Sequence, residues 1–149
     1  MQRMKFSDDE GSSSLEFITA GLVLLVPLIY LILVVASIQA ATLASEGAAR
    51  QAARVYVTAS SQNLATERAG QAIDVALADF HISPDRANVA IVCSDSSSCL
   101  SSGSFVTITV KVEVPLPLIP PVLGLDHIAQ VPIASQATAH VSKFHGEMG

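Results

Sequence analysis

Residues 17–44 carry no charged side chain, and a single glutamate, Glu16, stands directly before them. The run reads FITAGLVLLVPLIYLILVVASIQAATLA. A helix needs about 20 mostly apolar residues to cross the hydrocarbon core of a bilayer. Fourteen of the twenty residues 17–36 are Phe, Ile, Leu or Val. Such residues favour insertion by roughly 0.3–0.6 kcal/mol each near a helix centre, so their sum reaches several kcal/mol. Pro27 predicts a kink, which membrane helices tolerate where neighbouring groups satisfy the freed carbonyl. The run exceeds the 7–15-residue apolar core of a secretory signal. Its far end, VASIQA over residues 35–40, makes a poor small-x-small cleavage pattern. The expectation is a retained, membrane-spanning helix.

The rest of the chain is ordinary in polarity. At 149 residues and a net charge of −5, it suggests one domain with only a modest core. It has no basic patch and no tryptophan, which argues against nucleic acid as a partner. The two cysteines, Cys93 and Cys99, have five residues between them and no second ligand pair elsewhere. That is poor spacing for a metal. A disulfide closing a short loop is the expectation, and it requires an oxidising compartment.

The flanks of the span carry the remaining information. Arg3 and Lys5 precede it while Arg50 and Arg54 follow, so the positive-inside rule is balanced. The cysteine pair instead places the C-terminal part outside the cytoplasm. Glu16 has two readings: a carboxylate hydrated at the headgroup boundary, or a charge kept for a partner. Residues 42–57 continue as helix, with Glu46 and Arg50 spaced i,i+4 in the favourable order. The small residues Ala40, Ala41, Ala44, Gly47 and Ala48 suit close helix–helix approach in an assembly, or are simply good helix formers.

A break is expected at residues 58–61, then an amphipathic helix over about 62–80. Ala65, Ala69, Ala72, Ile73, Ala76, Leu77 and Phe80 recur at three- and four-residue spacing, a face suited to packing on a sheet. After the turn signal at residues 83–85 the period changes to two. Short strands are expected over residues 88–93 and 105–114, the latter alternating Val106, Ile108, Val110, Val112 and Val114 with polar residues. Prolines 115, 117, 120 and 121 should end that strand and carry an exposed apolar loop to residue 125. A third strand follows over about 129–142, where Pro132 predicts an edge or a bulge. The fold class is therefore α+β: a long N-terminal transmembrane helix, an amphipathic helix, and a small antiparallel sheet of about three strands. Its expected parts are a leader over 1–11, the span over 12–44, an extracytoplasmic helical region over 45–82 and a β region over 83–149.

Nothing in the sequence reads as an active site. There is no phosphate loop, nucleophile elbow or zinc-helix motif. His81, His127, His140 and His145 lack ligand spacing and are expected to be polar surface residues. The chain is expected to be neither an enzyme nor the holder of a cofactor or metal.

Gly11, with Glu16 at the fifth position after it, Phe17 next and then an uncharged helix, resembles the class III leader of type IV prepilins. The Glu16-Phe17 pair, the helix interrupted at Pro27 and the continuation SEGAARQAARVYV over residues 45–57 are most similar to TadE-like minor pilins and pseudopilins of Flp (tight-adherence) pilus systems. Asp8, Asp9 and Glu10 depart from the Lys or Arg usual beside that glycine. The resemblance implies cutting after Gly11 by a prepilin peptidase, leaving Ser12 as the new N-terminus. It implies assembly through Glu16 and Phe17 with other pilin-like subunits and the pilus machinery. It also implies a single-pass protein of the cytoplasmic membrane, N-terminus inside and C-terminal domain outside, in or beside a pilus. The alternative is a membrane-anchored extracytoplasmic binding module, for which the apolar loop over residues 116–125 is the best feature.

Overall fold

The computed structural model describes residues 12–95, 98–117 and 130–144. The described chain forms two helices and a three-stranded antiparallel sheet: α1 (Ser12–Val57), α2 (Gln62–Ala78), a 3₁₀ turn (Pro84–Arg86), β1 (Ala87–Cys93), β2 (Phe105–Pro115) and β3 (Gln130–His140). It divides into two units, one up to Val35 and one from Ala36 onward. The leader over 1–11, most of the apolar loop over 116–125, His127 and His145 lie outside the described residues.

In the first unit α1 is apolar on all sides. Leu and Ile side chains from Leu15 to Leu33 are exposed, and Phe17 is 80% so. The helix continues through Pro27. Thr19, a polar residue within the run, donates its hydroxyl to the carbonyl of Leu15 at 2.8 Å. Internal satisfaction of that kind is what a lipid environment demands. This segment is long and apolar enough to cross a membrane.

In the second unit the same helix changes character. Ala41, Ala44, Ser45, Ala48, Ala52 and Tyr56 recur at helical spacing and are all buried. Their stripe joins Ile73 and Leu77 of α2 and the inward face of β2 in one core. Ala41, Ala44 and Ala48 are thus covered by their own domain, which corrects the reading of them as a helix–helix contact in an assembly. Gly47 is exposed and Ala40 half-buried. Small side chains have a physical reason here, since they let backbone and sheet approach closely without voids. Glu46 and Arg50 form the expected exposed pair at 3.1 Å.

After α1 the chain turns at residues 58–61, and Ser61 caps α2 by accepting the N–H of Leu64 at 3.4 Å. Helix α2 buries Ala65, Ala69, Ile73 and Leu77. Its end is earlier than the periodicity implied. The N–H of His81 donates to the Ala78 carbonyl at 2.9 Å, and that of Ile82 to the Leu77 carbonyl at 3.0 Å. Those two bonds, with His81 at φ 59, make a Schellman-type C-cap. Phe80 is consequently pulled off the packing face and is 41% exposed. Ile82, the residue after the left-handed position, packs against the core that contains Leu77.

The sheet order is β1-β2-β3 with β2 central. Val106, Ile108, Val110, Val112 and Val114 point inward and are buried, while Lys111 and Glu113 are exposed. Strand β2 extends one residue beyond expectation, because Pro115 pairs with Gln130. Pro132 lies opposite Glu113 in an uninterrupted register, so it marks an edge strand and not a bulge. On the outer face Thr107 and Thr138 share a hydrogen bond at 2.8 Å. The Phe105 and His140 rings meet edge-on at 4.7 Å. Cys93, the last residue of β1, is joined to Cys99 by a disulfide with a Cα separation of 5.1 Å. Closing so short a loop removes about 2 kcal/mol of unfolded-state entropy on the chain-entropy model.

Candidate functional site

The candidate processing and assembly residues sit at the start of α1. Gly11 lies outside the described residues, and Ser12, the first described residue, is already in helix. Glu16 comes one turn later, at i+4 from Ser12, and both Glu16 and Phe17 are exposed. Leu15, Thr19, Ala20 and Val23 line a shallow depression together with Glu16. Among the described residues Glu16 forms no ion pair.

That combination has chemical meaning. An exposed acid on an apolar helix surface costs little at a headgroup boundary but several kcal/mol deeper in hydrocarbon unless it is paired. The nearest cation a processed chain would add is the new amine at Ser12. Ala20, one turn on from Glu16 at i+4, is exposed. The surface beside the carboxylate is thus open to a second helix.

Elsewhere the head has few chemical groups brought together. No group of three or more His, Cys, Asp or Glu residues that could hold a metal occurs among the described residues. Ser94 accepts the N–H of Phe105 through its hydroxyl at 2.9 Å, and Ser104 donates to the Cys99 carbonyl at 3.2 Å. These serines shape the loop around the disulfide. His81 and His140 are both exposed, the first in the cap of α2 and the second on the outer face of β3.

Two arrangements have no signal in the sequence. Ser45 of α1 and Ser135 of β3, separated by 90 positions, share a hydrogen bond at 2.7 Å. The Ser45 hydroxyl also donates to the Thr42 carbonyl at 3.0 Å, so Ser135 supplies the proton between the two serines. The second is a cavity of about 330 Å³ beside Phe80, His81 and Arg86, walled by α1 at Ser37 and Ala41 and by Pro115. No family model, curated protein or solved structure matches this chain.

Proposed function

We propose that the chain is a prepilin-like, TadE-like single-pass membrane protein. A prepilin peptidase trims it after Gly11, and it acts as a minor pilin, pseudopilin or assembly component of a Flp/Tad-type pilus. The supporting observation is the exposed Glu16, without an ion pair among the described residues, on a helix whose surface beyond it is apolar. Cleavage would create an amine at Ser12, one turn before Glu16. In a bundle of such helices each carboxylate can pair with the amine of a neighbour, so both charges enter an apolar environment compensated. The Cys93–Cys99 disulfide supports an oxidising location for the head and so an N-in, C-out orientation in the cytoplasmic membrane.

Co-expression of the full chain with an active prepilin peptidase, followed by N-terminal sequencing, tests the reading. The expected mature N-terminus is Ser12; retention of Met1 beside an active peptidase overturns it. A Glu16→Ala chain should still insert but should be lost from purified pilus fractions or from complexes with other pilin-like subunits. A plain membrane-anchored binding module would show no such loss.

A further inference from the structure

The cavity at Arg86 takes no part in processing or helix assembly, and its lining is chemically selective. Besides Ser37, Ala41 and Pro115, it is bounded by Phe80 and the turn that carries His81, Ser83 and Arg86. Among the described residues Arg86 is its one fully charged residue, and no carboxylate lines it. Asp79 and Asp85 are neighbours in the chain but lie outside the lining. Arg86 is exposed and forms no ion pair among the described residues, in a protein whose net charge is −5. At about 330 Å³ the space falls within the range of small-ligand sites. One wall is apolar (Phe80, Val114, Pro115), and the other offers a guanidinium and an imidazole.

Position along the chain names the ligand class. At 1.5 Å per residue, residues 17–36 of a helix cover the ~30 Å hydrocarbon core. Ser37 and Ala41 are the positions that come next in the same helix. A bilayer holding residues 17–36 has its headgroups at that level. We propose that this cavity binds the phosphate of an anionic phospholipid. The Arg86 guanidinium and an N–H of His81 contact the phosphate oxygens, and Phe80 and Pro115 border the glycerol and first methylenes. Guanidinium is suited to this because its fork of donors matches two phosphate oxygens at once. The proposal rests on the membrane span but is independent of cleavage at Gly11 and of pilus assembly.

The test is lipid retention by the full chain in detergent, offered equal phosphatidylglycerol and phosphatidylcholine and read by native mass spectrometry. One phosphatidylglycerol per chain should be retained with about five-fold preference, the size expected of one interfacial cation. Arg86→Gln should abolish the preference, and Ser83→Glu, which places a carboxylate in the lining, should do the same. Arg54→Gln, altering an exposed arginine elsewhere, should leave it intact. Millimolar inorganic phosphate should fail to displace the lipid. Equal retention of the two lipids, a preference that survives both Arg86→Gln and Ser83→Glu, or complete displacement by inorganic phosphate each overturns the lipid site. A chain that washes off membranes in alkaline carbonate overturns both the span and this site. An integral chain without lipid preference overturns the site alone.

Discussion

Residues 15–35 and 41–56 belong to one helix, yet they solve opposite problems. The first stretch is built from Leu, Ile and Val, and exposes nearly all of them. The second is built from Ala with a single buried Tyr56, and hides its stripe against α2 and the sheet. Hydrophobicity alone would rank the first stretch as the better core. The comparison shows that side-chain size separates the two roles. Large branched side chains suit a fluid apolar solvent that fills any shape, whereas methyl groups suit a protein surface that must approach to a fixed distance.

The largest expected effect breaks the first half only. Leu25→Arg places a guanidinium near the middle of the span and should cost insertion about 2.5–3.5 kcal/mol. The measurement is the fraction of chain resisting carbonate extraction, which should fall, while the Cys93–Cys99 disulfide still forms in any chain that inserts. Ala48→Leu breaks the second half. Ala48 is fully buried, so the added carbons should cost the head about 1–3 kcal/mol through overpacking. A lowered urea midpoint for the full chain in detergent, with unchanged membrane integration, would sharpen the contrast. The same change at Ala20, an exposed position of the span, should be silent in both assays.

A smaller effect probes how the helix is locked to the sheet. Ser45→Ala removes the partner of the Ser135 hydroxyl and should cost about 1 kcal/mol. Removing both hydroxyls should cost less than the sum of the single changes, because the two serines act as one bonded pair. The smallest effect has the opposite sign. His81 holds a left-handed backbone conformation at φ 59. Replacing it with Gly relieves that strain but frees the unfolded chain, for a net gain below about 1 kcal/mol. A β-branched His81→Val should lower the urea midpoint instead.

Much of the α+β architecture was legible because two periods are so distinct. The alternation through Val106 to Val114 could describe only a half-buried strand, and the uncharged run over residues 17–44 a helix long and apolar enough to cross a bilayer. The disulfide was legible because so short a loop with no further ligands left few other uses for two cysteines. The alanine stripe was not. Ala is the strongest helix former as well as a close-packing residue, so its presence does not say which surface it faces. The end of α2 was missed by two residues because His81 occupies the left-handed position where Gly is the usual marker. The Ser45–Ser135 bond and the Arg86 cavity depend on residues far apart in the chain, for which local periodicity carries no information. At the candidate site, Gly11, Glu16 and Phe17 were readable only through their spacing and its likeness to a prepilin leader. The structure adds that Ser12 already lies in helix and that the carboxylate is exposed.

The alanine stripe also bears on the order of synthesis. Residues 41–56 leave the ribosome before β2 and Val141, the partners that will cover them. Domains assemble from the N-terminus onward, and hydrophobic surface waiting for a late partner is the usual seed of aggregation. Here the waiting surface is mostly methyl groups on a helix already tethered by an apolar span. A head whose first element is so sparsely greasy can wait for its partners, and its core need not exist until β3 arrives.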